Sequence, residues 1–218
     1  MIPVLDYSKK NSVLNRFVAE LRDEKIQQDS LRFRRNLERI GEVFAYEISK
    51  KLNYENREVT TPLGTAQVND LNDELVIATI LRAGLPLHQG VLNIFDRAEN
   101  AFVSAYRKHK KGDNAFEVQV EYLSCPSIEG KTLILTDPML ATGSSMALVY
   151  KALLTKGRPK HVHIVAAIAS VEGVRYLKRN LPNNCTIWLG GLDDELTAQA
   201  YIVPGLGDAG DLAFGEKD

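Results

Sequence analysis

Cysteine is scarce in this chain. Among 218 residues only Cys125 and Cys185 carry a thiol; they are too few for a disulfide framework and lack a C-x-x-C spacing, which fits a reducing cytosol and two buried, inert thiols. Long apolar runs are missing as well. None approaches the ~20 residues that a membrane-crossing helix needs, and Met1-Ile2-Pro3-Val4-Leu5-Asp6 lacks the charged-then-apolar plan of a signal peptide. The expectation is a soluble, cytoplasmic protein with no membrane contact. Nor is there an excess of either charge: Lys+Arg 27 against Asp+Glu 28 leaves -1, which argues against a chain-wide grip on nucleic acid, so any anion site must be local. The 4 histidines offer little chemistry. His161 and His163 alternate on one strand face without a visible third ligand, and no Ser/His/Asp triad can be assigned. With 15 Gly, 8 Pro, 44% hydrophobic and 25% charged residues the chain is neither low-complexity nor disordered, and its length suits one sizeable domain.

What is present alternates between two periodicities. Two helical patterns open the chain over about 12–51; in the second, Phe33, Leu37, Ile40, Phe44 and Ile48 form one apolar stripe that Asp29 or Ser30 can cap. Arg32, Arg35, Arg39 and Lys50 share that helix, but Glu38, Glu42 and Glu47 interrupt the charge, so its outer side reads as a solvated face. From Glu74 the pattern changes, and Leu75 to Leu81 is a continuous apolar strand of the kind buried on both faces, followed by a helix from about Pro86. Further strands are predicted at 101–106, 116–123, 132–136, 161–169 and 186–189, with helices at 144–155 and 172–180 between the last three. Strands alternating with helices imply an α/β fold with a mainly parallel sheet and helices on both faces, and ligands in such sheets bind beyond the carboxyl ends of the strands. A long hairpin with a Gly112-Asp113 turn joins Tyr106 to Phe116.

The strongest chemical signal is Leu133-Ile134-Leu135-Thr136-Asp137-Pro138-Met139-Leu140-Ala141-Thr142-Gly143-Ser144-Ser145, an apolar strand ending in an acid and then a small-residue loop opening a helix. A carboxylate there can accept bonds from vicinal sugar hydroxyls, and the N–H groups and hydroxyls from Thr142 to Ser145 can surround a phosphate at the positive end of the helix. A strand-to-helix turn capped by Ser144 or Ser145 would look the same. The loop is not a Walker loop, because the spacing and the lysine are absent. Arg82, directly after a buried strand, is costly unless an anion or a salt-bridge partner meets it, and Gly84 permits close backbone approach. Near the C-terminus Gly205, Gly207 and Gly210 allow turns closed to other residues, so main-chain groups there can face a flat ligand, or the segment is a flexible tail.

These segments resemble the type I phosphoribosyltransferases, and more narrowly the uracil phosphoribosyltransferase branch, in which a proline such as Pro138 replaces the second acid of the ribosyl-phosphate loop. Ile80-Leu81-Arg82-Ala83-Gly84-Leu85 is similar to that branch's diphosphate-binding loop, and Tyr201 to Asp211 to its uracil-binding loop. Weaker similarity includes Leu21-Arg22-Asp23, Phe44 to Glu47 and Thr61 to Gly64, so the resemblance covers nearly the whole chain. It implies a single phosphoribosyltransferase domain over 1–218, with a core at about 74–190 and a uracil-binding region at about 191–218, a twisted sheet flanked by helices, and a β-hairpin arm. By the same resemblance, 5-phosphoribosyl 1-diphosphate (PRPP) and uracil are the substrates, Mg²⁺ is bound mainly through PRPP with no dedicated protein site, and a homodimer or higher homo-oligomer is the working unit. Asp137, Arg82, Arg107 and Asp208 are implied as catalytic; Pro138, Met139, Leu140, Ala141, Thr142, Gly143, Ser144 and Ser145 join them in holding PRPP. Ile202, Gly207, Asp208 and Ala209 are implied to present main-chain groups to uracil.

Four positions depart from the family pattern: Ser144 replaces a usual second glycine, Lys108 an acid, Val171 a proline and Leu212 an arginine. They bear on rate, on diphosphate affinity and on the GTP activation of some relatives, rather than on the fold. An alternative within the superfamily is a nucleotide-sensing, RNA-binding regulator with weak or no transferase activity; its basic surface would need more positive charge than this chain has.

Overall fold

The computed structural model describes residues 1–109 and 116–216, and side chains at all of these except 106–109 and 116–119. In chain order the elements are β1 (Val4–Asp6), α1 (Val13–Arg22), α2 (Ser30–Ser49), β2 (Tyr54–Thr61), β3 (Gly64–Leu71), β4 (Leu75–Leu81), α3 (Leu85–Ile94), β5 (Glu99–His109), β6 (Phe116–Ser124), β7 (Thr132–Thr136), β8 (Met139–Leu140), α4 (Ser144–Leu153), β9 (His161–Ala166), β10 (Ile168–Ser170), α5 (Val171–Asn180), β11 (Cys185–Leu189), β12 (Leu192–Asp193), β13 (Glu195–Leu196), β14 (Ile202–Val203) and α6 (Ala209–Phe214).

The main sheet has the order β1-β11-β9-β7-β4-β5-β6, parallel throughout except for the antiparallel β5–β6 pair. From β4 the chain passes through α3 to β5 on one side, whereas β7 lies on the other side and leads outward to β9 and β11. The strand order therefore reverses between β4 and β7, and the crevice beyond their carboxyl ends is where an open α/β sheet binds ligands. Alternation along β4 explains why its apolar run is unbroken. Val76, Ala78 and Ile80 join a core with Met146, Val149 and Leu153 of α4 and Val174 and Leu177 of α5, while Leu75 and Ile77 join a second core with α1, α2 and α3 on the opposite face.

Helix α2 uses the expected stripe, with Phe33, Leu37, Ile40, Phe44 and Ile48 all buried, and Asp29 is its cap, accepting from the Arg32 N–H at 3.1 Å. Helices α2 and α3 approach backbone to backbone. A Cβ on Gly41 would lie 2.4 Å from the Leu87 carbonyl oxygen, and one on Gly90 1.9 Å from that of Glu38. The charged side of α2 is only partly a solvated face. Arg35 pairs with Glu38 and Lys50 with Glu47 along the exposed surface, but Arg32 reaches α1, giving two hydrogen bonds to Glu20 at 2.8 and 3.0 Å, and Asn36 donates a third at 2.8 Å. Those donors hold the Glu20 carboxyl down at about 2. Because the folded value is depressed, its stabilisation is present in full above the unfolded value near 4.5 and drains away as pH falls towards 2. Glu20→Gln is expected to lower the urea midpoint at pH 7, with the gap to the parent chain narrowing as pH falls from 5 to 3; a gap independent of pH would count against it.

Several elements differ from the sequence expectation. The stretch 161–169 is two strands: β9 ends at Ala166, and β10 leaves the main sheet to pair with β8 and β12 in a separate three-stranded sheet. An antiparallel ribbon, β2–β3, occupies 54–71 with Thr61 opposite Gly64, where no strand was expected. The strand predicted from Ala101 starts at Glu99, and β1 adds an edge beside β11. The predicted hairpin turn at Gly112-Asp113 lies outside the described residues.

Candidate active site

Strands β4 and β7 pair so that Thr79 lies opposite Thr136, and each threonine hydroxyl donates to a carbonyl of the neighbouring strand: Thr79 to Thr136 at 3.3 Å, Thr136 to Ala78 at 3.2 Å. Both are fully buried, so these bonds answer polar groups at the sheet centre and fix the two strand ends side by side. Beyond them stand Asp137 on one strand and Arg82 on the other. Asp137 donates its N–H to the Val165 carbonyl and accepts the Met139 N–H on Oδ1 at 3.2 Å, which turns Pro138 and Met139 out of the main sheet. Met139 and Leu140 then pair with Ile168 and Ala169 as β8.

The loop closes onto α4 at Gly143, whose φ of 78° is left-handed. A Cβ there would sit 2.8 Å from the Gly173 carbonyl, so both the turn and the packing exclude other residues. On the far side Ser170 caps α5 by accepting the Gly173 N–H at 2.8 Å and donates its hydroxyl to the Ala141 carbonyl at 2.5 Å. Helix α5 thereby buttresses the loop. Thr142 Oγ1 and Ser144 Oγ are 2.7 Å apart, so Ser144 adds a hydroxyl to the rim at the positive start of α4. Val171 is the first residue of α5; proline is favoured at such a position but not required, since the Ser170 cap does the work of starting the helix.

The turn after β4 is tight. The Leu81–Arg82 peptide is cis, and a Cβ on Gly84 would lie 2.1 Å from Thr79 Oγ1. Arg82 does not point into empty solvent: Nη2 donates to Asp211 Oδ1 and to the Gly215 carbonyl, each at 2.9 Å, while its Nε is buried without a partner. This guanidinium therefore joins the turn after β4 to the C-terminal segment. There Asp208 caps α6, its Oδ1 accepting the N–H groups of Gly210 at 2.8 Å and Asp211 at 3.0 Å. Ile202, Leu206 and Ala209 are buried against the α1–α2 side, and Leu212 packs on the same core. Gly205 and Gly207 take φ of 60° and 89°, so the glycine-rich segment is a built loop. The backbone of Arg107 lies on β5 opposite Val118; its side chain, like that of Lys108, lies outside the described residues.

A cavity of about 640 Å³ lies elsewhere, lined by Asp70, Leu75, Phe95, Glu99 and Lys131. Leu75, Glu99 and Lys131 mark the amino ends of the central strands, opposite to these loops.

Comparison with known proteins bears on the same loops. A family model described as uracil phosphoribosyltransferase matches residues 8–216. The chain belongs to the uracil phosphoribosyltransferase family. A uracil phosphoribosyltransferase of Porphyromonas gingivalis is 59% identical over 214 residues, covering 98% of this chain and 99% of that protein. A solved structure from Aquifex aeolicus superposes with a TM-score of 0.86 at 31% identity, covering 97% of this chain and 98% of the other. A hypoxanthine phosphoribosyltransferase structure from Staphylococcus aureus, at TM-score 0.50 and 15% identity over 73% of this chain and 74% of its own, shares the fold alone. The type I phosphoribosyltransferase architecture expected from the motifs is thus the one observed, and the comparisons lend nothing to the RNA-binding regulator. In this uracil phosphoribosyltransferase family member the loops at Arg82, Asp137 to Ser145 and Ile202 to Asp211 lie at one end of the sheet. Residues to which the motifs assign no role also belong there: Ser170 and Gly173 behind the loop from Asp137 to Ser145, and Arg22 and Asp193 behind Gly205.

Because Arg82 and Asp211 are each about a third exposed, their ion pair contributes little to stability, on the order of 0–1 kcal/mol. Arg82→Ala is therefore expected to leave the melting temperature nearly unchanged while raising the KM for PRPP, with kcat/KM down more than ~10-fold, the scale of one charge-assisted contact. A large fall in melting temperature with activity per folded molecule preserved would make Arg82 structural.

Proposed function

We propose that this chain transfers the 5-phosphoribosyl group from PRPP to uracil, giving UMP and diphosphate, in pyrimidine salvage. The observation that carries the proposal is an anion-ready loop, Thr142 to Ser145, at the end of β7 and a glycine-rich main-chain loop, Gly205 to Gly210, leading into α6, whose Asp211 is bonded to Arg82 at the end of β4. In this scheme Thr142 to Ser145 take the 5′-phosphate, Asp137 takes the ribose hydroxyls, and Arg82 with Arg107 neutralises the departing diphosphate. Ile202 and Gly207 to Ala209 offer main-chain N–H and C=O groups to the acceptor, donor, acceptor edge of uracil.

Loss of diphosphate leaves an oxocarbenium-like ribose, so catalysis rests on positioning and on charge placed in advance. Mg²⁺ supplies charge neutralisation to the diphosphate when bound. The Asp137 carboxylate would help to hold a magnesium ion bound mainly by substrate phosphates and water. The family resemblance adds a cytoplasmic homo-oligomer as the working unit and GTP as a candidate effector.

The test is a base panel with PRPP and Mg²⁺, scoring diphosphate release. Uracil should exceed cytosine by ~10⁴-fold or more in kcat/KM, because cytosine's amino group would leave a buried polar mismatch. Comparable turnover of cytosine, or preference for a purine, would overturn the proposed substrate.

A further inference from the structure

The loop that carries Ile202 and Gly207 has a fastening that none of the substrate contacts above accounts for. Arg22, the last residue of α1, grips Asp193 of β12 fork to fork, Nη1 to Oδ2 at 2.7 Å and Nη2 to Oδ1 at 2.8 Å. Both groups then turn to the same residue: Arg22 Nη1 donates to the Gly205 carbonyl at 3.0 Å, and Asp193 Oδ2 accepts the Gly205 N–H at 3.1 Å. Gly205 follows the cis Val203–Pro204 bond, and a Cβ on it would lie 2.0 Å from the Ile202 carbonyl oxygen. The surroundings are shaped for the pair. A Cβ on Gly191 would come within 2.8 Å of Arg22 Nη2, and the side chains are only 24% and 8% exposed. Bidentate geometry of this kind fixes direction as well as distance, and a lysine cannot reproduce it.

Asp193 also sits on a second rigid object. Its strand β12 pairs with β10, Ser170 opposite Asp193, and β10 pairs with β8, Ala169 opposite Leu140. The three-stranded sheet thus runs from the ribosyl-phosphate loop directly to the carboxylate that holds Gly205. We propose that Arg22 and Asp193 are a positioning pair that sets where the base-reading loop stands relative to the ribosyl-phosphate loop, and so the alignment of the base nitrogen with the ribose carbon it attacks. This rests on the function proposed above. Their effect passes through Gly205, two residues before Gly207, and a misplacement of about 1 Å in such an alignment can cost ~10²-fold.

Arg22→Lys keeps the charge and removes the fork. It is expected to lower kcat/KM for uracil at least tenfold, to lower the uracil-to-cytosine selectivity ratio at least threefold, and to leave the dissociation constant for PRPP, measured without base, within twofold. Asp193→Asn keeps an acceptor for the Gly205 N–H and should show the same pattern more weakly; it replaces the lysine variant if that one fails to fold. Rates are taken per folded molecule. A purely structural role would reduce the folded fraction and leave the selectivity ratio and the uracil kcat/KM of the folded protein unchanged, and that result overturns the pairing's role. If the parent chain itself turns over no uracil, the substrate assignment fails instead, which separates the two outcomes.

Discussion

Asp137→Asn is expected to lower kcat/KM by ~10²-fold or more with the fold intact, the range seen when one preorganised electrostatic group is removed from a transition state. Asparagine keeps the shape of the side chain and its Oδ1 can still accept the Met139 N–H that turns the chain out of β7. The buried threonine bonds beneath it, Thr79 with Thr136, involve neither carboxylate oxygen. What disappears is the negative charge at the strand end, where a ribose gathers positive character as diphosphate leaves. Steady-state kinetics together with a thermal melt decide the matter: an unchanged kcat/KM removes Asp137 from the site, whereas a collapsed melt with normal activity per folded molecule would assign it to the turn.

Gly207→Val should cost as much, by a different route. Its φ is 89°, a region closed to β-branched residues, and strain of this kind is on the order of 1–3 kcal/mol. Steric room is not the difficulty, since a Cβ there would meet nothing nearer than Leu212 Cδ1 at 3.8 Å. The substitution therefore works through the dihedral angle, swinging the N–H and C=O groups proposed above to read uracil, and is expected to raise the KM for uracil ~10²-fold or more, in line with the cost of a 1 Å misplacement. Binding of PRPP without base should stay near the parent value. Normal uracil kinetics in the valine variant would mean that the base is read elsewhere.

Much of this arrangement is legible in the chain because its signals are local. An unbroken apolar run announces β4, an acid after an apolar strand announces Asp137, and Gly143 stands where the backbone must turn left-handed before α4. Other parts carry no local signal. The ribbon β2–β3 is polar on both faces and mostly exposed, so no two-residue period marks it, and β10 escapes because its apolar residues continue those of β9. The Arg22–Asp193 pair spans 171 positions; nothing near either residue says that the other exists, although the paired Gly190 and Gly191 after β11 mark a place where side chains must make way. Arg82 was legible as an anion-seeking group, but its bond to Asp211 depends on the C-terminal loop returning to the end of β4.

The contact between α2 and α3 bears on where the Arg82 turn is held. At Gly41 and Gly90 the two helices meet through main-chain atoms, and farther along Asn93 of α3 donates to Glu38 and Glu42 of α2. Helix α3 begins at Leu85, three residues after Arg82, so the crossing at Gly41 and Gly90 sets where the start of α3, and with it the turn that carries Arg82, stands against α2.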